Sequence, residues 1–145
     1  MTADTDSATV HASCVAIRGR GVLLFGPSGS GKSDLALRLI DRGAVLVSDD
    51  YTVVTRRGDA LYGRPPARIA GAIEVRGIGI LPVAHRGEAP LALAARLDLA
   101  PDRMPEPIGH EIVGLRLPLI AIAPLEPSAP IKVELALERF GLATE

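Results

Sequence analysis

The eight residues Gly26-Pro27-Ser28-Gly29-Ser30-Gly31-Lys32-Ser33 constrain this chain more than any other stretch. They satisfy G-x-x-x-x-G-K-[ST] at every fixed position. Val22-Leu23-Leu24-Phe25 before them is an unbroken apolar run, the pattern of a strand buried on both faces. Lys32 to Arg42 after them reads as a helix, with Leu35, Leu37, Leu39 and Ile40 apolar and Gly43 placed to cap its end. A loop that wraps a phosphate must turn several backbone N–H groups inward. Gly29 and Gly31 permit positive φ and close approach for that purpose. The helix points its positive end at the same anion. Lys32 would reach the β- and γ-phosphates, and the Ser33 hydroxyl would ligate Mg²⁺. The bland alternative is a Gly-Ser turn before a helix. The fixed positions in the right context favour nucleotide phosphate and magnesium, and they leave the reaction open.

Composition narrows the field further. With 145 residues there is room for one domain, and a 48% hydrophobic content suffices for a core of Leu, Val, Ile and Ala. Bulk disorder is excluded on the same ground. The formal net charge is −1, which supplies no electrostatic grip on nucleic acid. Aromatic residues make up 3% of the chain and Trp is missing, against a single-strand stacking platform. The one cysteine, Cys14, sits in an apolar, strand-like run and reads as a small buried hydrophobe. Met1 to Ser7 is polar and acidic, unlike a signal peptide. Leu115 to Leu125 is the longest apolar stretch, and Pro118 and Pro124 cut it short of the ~18 residues of a membrane span. The expectation is a cytoplasmic protein with a polar leader over residues 1–10 and one domain over 11–145.

The remaining elements follow from local pattern. His11 to Ile17 is a short strand, with Gly19-Arg20-Gly21 as a tight turn before the next. Val45-Leu46-Val47 is a third buried strand, and Tyr51 to Thr55 with Ala60 to Tyr62 form a hairpin around Arg57-Gly58-Asp59. Ile73 to Ile80 reads as one strand holding two glycines and Ile112 to Pro118 as another, while Leu91 to Leu97, with alternating Leu, fits strand or helix, strand being favoured. Ala100 to Pro107 and Pro124 to Pro130 are loops, and Ile131 to Phe140 is a terminal helix. The fold class is therefore α/β, a mixed sheet with a strand-rich second half.

Asp49 and Asp50 follow the third buried strand, at the sheet edge where α/β proteins bind ligands. Adjacent carboxylates in a strand alternate sides, so they would differ in role. One would take a proton from an attacking hydroxyl; the other would hold metal-bound water or position the base. Read alone, His11 at a strand start is a structural residue. Glu74, between Ile73 and Val75, is either on the solvent face or a metal ligand, and Arg103 in a proline-rich loop is a surface charge.

Three motifs in order carry a family resemblance: the loop Gly26 to Ser33, the pair Asp49-Asp50, and Ile73-Glu74-Val75-Arg76-Gly77-Ile78-Gly79-Ile80. The last is similar to a signature of the form L-E-[IV]-R-G-[IL]-G-[IL]. From about His11 to Phe140 the chain resembles the catalytic domain of HPr kinase/phosphorylase, a bacterial enzyme that phosphorylates a serine of the phosphocarrier HPr. The resemblance implies a single phosphate-loop domain of the phosphoenolpyruvate carboxykinase-like type, with ATP and Mg²⁺ as cofactors. It implies that His11, Lys32, Asp49 and Arg103 are catalytic residues, with Asp49 as the general base. Ser33, Glu74 and Asp50 would serve the metal. Two departures are expected to matter. The N-terminal regulatory domain of the long form has no counterpart here, as in short forms of the family. The stretch Ala123-Pro124-Leu125-Glu126-Pro127-Ser128-Ala129 lacks the Gly-Arg-Asn of a family loop linked to dephosphorylation.

The expected activity is therefore that of an ATP- and Mg²⁺-dependent serine kinase acting on HPr, without robust phosphorylase activity. No nucleic acid or membrane partner is expected, and a homo-oligomer is left open. Two other functions remain as alternatives: a small-molecule phosphate-loop kinase or hydrolase, and a non-catalytic nucleotide-binding regulatory module.

Overall fold

The computed structural model describes residues 6–103, 106 and 108–144. Among them run β1 Ser7–Val10, β2 Ala12–Ile17, β3 Arg20–Phe25, α1 Lys32–Asp41, β4 Val45–Ser48, β5 Thr52–Arg57 and β6 Ala60–Arg64. There follow β7 Ala72–Val75, β8 Gly79–Pro82, β9 Ala89–Arg96, β10 Ile108–Ile112, β11 Leu115–Ala121 and α2 Ala129–Phe140. The expected α/β class holds, with strands dominating the second half.

Nine strands form one mixed sheet in the order β1-β5-β6-β9-β3-β2-β4, with β11 on β9 and β10 on β11. Strand β9 is the pivot. Along one edge, Leu91 to Arg96 pair in parallel with Gly21 to Phe25 of β3. The other edge is divided: Ala89 and Pro90 pair antiparallel with Gly63 and Tyr62, while Ala94 to Arg96 pair in parallel with Leu119 to Ala121. Two strands sharing one edge leave it at different angles, and the sheet curls. Pro118 is accommodated because β11 reaches β9 only from Leu119 onward, so the residue without an N–H sits just outside that ladder.

The period-two alternation of the strands splits the core. Val15, Ile17, Val22 and Leu24 face α1 and α2, where they meet Leu35, Leu39, Val133 and Leu137. Cys14, Ala16, Leu23 and Phe25 face the inside of the curl, with Val54, Leu61, Leu117 and Leu119. Both faces of β2 and β3 are thus buried, which is why these strands are apolar throughout. Helix α1 buries Lys32, Leu35, Ala36 and Leu39, a stripe with helical spacing. Burial pushes the Cys14 thiol up to about 12, so its role is packing.

Several elements differ from expectation. Ser7–Val10, read as the end of the polar leader, is a strand paired with Thr52 to Thr55. It is an edge strand, exposed over Ser7 to Thr9, and so needs no apolar run. Ile73 to Ile80 is not one strand but a hairpin, because Gly77 at φ 87 turns the chain and the Ile78 N–H closes on the Val75 carbonyl at 2.9 Å. Ile112 to Pro118 likewise contains a turn: Val113 and Gly114 lie at φ 50 and 83 between β10 and β11. Positive φ at both turn residues is the geometry of a two-residue hairpin, and a valine there does not announce it.

Candidate active site at the phosphate loop

The buried strand β3 delivers the chain to Gly26, and α1 begins at Lys32. Between them the loop is closed by the Ser30 N–H on the Pro27 carbonyl at 3.0 Å. Gly29 and Gly31 lie at φ 85 and 102, where a side chain would strain the backbone. The first backbone bond of α1 is Leu35 N–H to Gly31 carbonyl. Earlier N–H groups of the first turn are left without helical partners, as at any helix start. A cavity of about 350 Å³ opens over this end; Ser28, Gly29, Gly31, Lys32 and Ser33 form its floor. Asp50, Glu74, Val75, Arg76 and Leu125 contribute its walls.

Lys32 is buried, and its Nζ donates to the Gly26 carbonyl at 2.7 Å and to that of Pro27 at 3.1 Å. The same Nζ lies 3.6 Å from Asp50. Gly26 and Pro27 thus act through their carbonyls behind the loop. The Ser30 hydroxyl is buried with no hydrogen-bond partner among the described residues.

The two aspartates are placed very differently. Asp49 is 7% exposed. Its Oδ1 accepts the Ser33 hydroxyl at 2.6 Å and the Ser13 hydroxyl at 3.1 Å, and its Oδ2 accepts the Glu74 N–H at 2.9 Å. Asp50 lines the cavity with half of its side chain exposed, and its Oδ1 lies 2.9 Å from His11 Nε2. The pair does not continue β4 in alternation, as expected from sequence. Asp50 has φ 68, and the Tyr51 N–H returns to the Asp49 carbonyl at 2.8 Å, so Asp50 sits at the apex of a γ-turn. That conformation is strained for a residue with a side chain. The surroundings hold it: the Asp50 N–H donates to Ser13 Oγ at 2.9 Å, and the Ser48 hydroxyl donates to the Tyr51 carbonyl.

Of the residues singled out in the sequence, His11, Lys32, Ser33, Asp49, Asp50 and Glu74 come together. Arg103 does not. It follows β9 in an exposed segment and lines a second cavity with Pro101, Ile120, Lys132 and Arg139, not the phosphate-loop cavity. Met104, its neighbour in the expected Asp102-Arg103-Met104 turn, lies outside the described residues. Three contributors were missed. Ser13 is fully buried and joins both aspartates; its one signal was a hydroxyl inside the apolar run of β2. Ser48 and Tyr51 flank the acidic pair and had no signal of their own.

The residues fit the groups that a phosphate loop implies. A Cβ at Gly29 would meet nothing within 4 Å, so the loop is open above that glycine toward the cavity it lines. Ser33, Asp49 and Glu74 offer oxygen only, the donor set of a hard cation. Among the described residues no three His, Cys, Asp or Glu side chains could hold a metal by themselves. Mg²⁺ is ordinarily held by one or two carboxylates together with substrate phosphates.

Comparison with known proteins points to one family. The model of the HPr serine kinase C-terminal domain matches residues 3–99. The chain is 39% identical over 128 residues to the HPr kinase/phosphorylase of Burkholderia lata, covering 79% of this chain and 40% of that relative. It is 35% identical over 139 residues to the HPr kinase/phosphorylase of Caldicellulosiruptor bescii, covering 86% and 44% respectively. The chain therefore spans less than half the length of these curated relatives. A solved structure, the Hpr(Ser) kinase/phosphatase from Coxiella burnetii, superposes with a TM-score of 0.77 at 32% identity, covering 90% of this chain and 88% of that one. The mixed α/β domain built around this phosphate loop belongs to the HPr serine kinase C-terminal domain family.

Proposed function

We propose that this chain is an ATP- and Mg²⁺-dependent protein serine kinase that phosphorylates HPr, on a domain of the phosphoenolpyruvate carboxykinase-like phosphate-loop type. The observation that carries the reading is the convergence of Lys32, Ser33 and Asp50 on one cavity whose floor is the phosphate loop. A cytoplasmic setting follows from such a substrate, and no helix among the described residues is long and apolar enough to cross a membrane.

The geometry favours an exchange of roles between the aspartates relative to the sequence expectation. Asp49 already accepts three hydrogen bonds and does not line the cavity, which suits it to fixing Ser33. Asp50 faces the cavity and suits the base. Asp50 would take the proton of the HPr serine as that oxygen bonds to the γ-phosphorus and the bond to the leaving ADP oxygen breaks. Lys32 and the N–H groups at the start of α1 would neutralise charge on the phosphates. Ser33 and Glu74, with Asp49 behind them, would hold Mg²⁺, which supplies further charge neutralisation when bound. His11 would orient the Asp50 carboxylate through the bond at Nε2.

The test is a transfer assay with Mg-ATP and HPr on two variants. Asp50→Asn should abolish transfer while thermal stability and nucleotide affinity stay close to those of the unaltered chain. Asp49→Asn should lower stability and raise the Mg²⁺ requirement. If Asp49→Asn alone stops transfer with both properties intact, the base is Asp49. A chain that binds nucleotide yet phosphorylates no HPr is a regulatory module instead. We expect phospho-HPr with inorganic phosphate to release little pyrophosphate, because Ala123 to Ala129 lacks Gly-Arg-Asn.

A further inference from the structure

Tyr51 is absorbed neither by the phosphate loop nor by any of the three motifs. Its ring lies 4.8 Å from the His11 ring at an interplanar angle of 16°. That separation and tilt are those of an offset stack. It is 45% exposed, so much of the ring remains open to solvent and the stack does not come from burial in the core. The backbone of Tyr51 is held on both sides: its N–H closes the γ-turn on Asp49, and its carbonyl accepts the Ser48 hydroxyl. The ring therefore projects from a fixed point one residue beyond Asp50.

These contacts make a closed circuit. The Asp50 carboxylate meets His11 Nε2, the His11 ring lies on Tyr51, and Tyr51 is bonded through its own backbone to Asp50. His11 stands between β1 and β2, and its side chain is about one-third exposed. An imidazole in that setting has several accessible rotamers, and the carboxylate oxygen it meets needs one of them. A face-on aromatic neighbour removes the alternatives.

We propose that Tyr51 is a positioning residue, which stacks on His11 and thereby aims the Asp50 carboxylate at the acceptor hydroxyl. This inference rests on the kinase reading above, with Asp50 as base. The mechanical requirement is a flat ring and not the phenol hydroxyl, so phenylalanine should serve and leucine should not.

The experiment compares the full chain with Tyr51→Leu and Tyr51→Phe. In proton NMR spectra, the His11 ring protons should lie upfield in the unaltered chain. They should move downfield in Tyr51→Leu and stay in place in Tyr51→Phe. In the HPr transfer assay, Tyr51→Leu should lower kcat about tenfold with KM for ATP within about twofold, since a misplaced group costs rate more than binding. Tyr51→Phe should retain kcat. His11 shifts that ignore Tyr51→Leu overturn the stack and the proposal with it. Shifts that move while kcat holds make the stack structural only and overturn the proposal as well. A KM rise at constant kcat does the same. Absence of transfer by the unaltered chain overturns the kinase reading together with this inference, whereas transfer that Tyr51→Leu leaves intact overturns the inference alone.

Discussion

The phosphate loop and the β7–β8 hairpin face one cavity but are held in opposite ways. The loop is tied from beneath by buried polar groups: Lys32 on two carbonyls, Ser33 on Asp49, and Asp49 on Ser13. The hairpin is anchored on β7 alone, by fully buried Ile73, by half-buried Val75 packed against the same core, and by the hydrogen bond from its Glu74 N–H to Asp49. Beyond that anchor its tip is open, with Ile78 and Ile80 72% and 74% exposed. Asp49 is the link between the two walls, one oxygen serving each. A site arranged this way fixes the phosphate side closely and supports the facing side only along β7.

The contrast can be broken most severely at Lys32. Lys32→Met should lower transfer by about 10²–10³, the loss associated with one pre-organised stabilising donor, in a steady-state assay with HPr. A much smaller loss would mean that the loop's own amides carry the phosphate. Next in size, Ile73→Ala should cost about 3 kcal/mol in urea unfolding, because a fully buried side chain leaves a cavity that the hairpin cannot refill. If the cost is near zero, Val75 and the Glu74 hydrogen bond hold the hairpin without Ile73.

A weaker effect is expected behind the loop, where the His110 ring lies 4.7 Å from that of Phe25, the last residue before Gly26. Burial, with a smaller contribution from Arg96, holds the His110 pKa below the ordinary 6.5. The folded chain therefore binds fewer protons than the unfolded chain there. The stability it retains above the ordinary value is lost as pH falls through the folded one. Thermal melts between about pH 7.5 and 5 should show a flatter profile for His110→Gln than for the unaltered chain. Smallest of all, Ile80→Ser should change stability by no more than about 0.5 kcal/mol, since its side chain is largely in water already. A large loss would show that the hairpin tip is packed.

What could be read from the chain alone followed its backbone signals. The strand, glycine loop and helix around Gly26 to Ser33 were legible because each is set by neighbouring residues. Asp49 and Asp50 could be placed at the ligand-binding edge of the sheet, whereas His11 and Glu74 joined the site only through the family resemblance. The aspartates' division of labour could not be read, because Asp49 and Asp50 differ through tertiary partners: Ser13 arrives from β2, 36 residues earlier than Asp49. The γ-turn that lifts Asp50 into the cavity is equally invisible, for an aspartate at φ 68 is not what local preference selects. The two misread hairpins have the same origin. Gly77 and Val113 reverse the chain inside segments whose apolar residues continue on the far side of the turn. Arg103 was placed by resemblance through a loosely matched proline-rich stretch, and the fold put it beside α2.

The three-partner strand β9 has a consequence for how the chain is made. Its partners β3 and β6 are synthesised before it, and β11 after it. As the nascent chain emerges from the ribosome, β3 and β6 each wait with one unpaired edge until Ala89 to Arg96 have emerged. Both edges flank apolar faces, the arrangement that invites pairing with a neighbouring chain. Parallel pairing of β3 with β9 also spans some 70 residues, and long-range parallel ladders assemble slowly. The emergence of residues 65–96 is thus the interval in which both edges stand open together, and the one in which a chaperone or a pause in synthesis would have the most to act on.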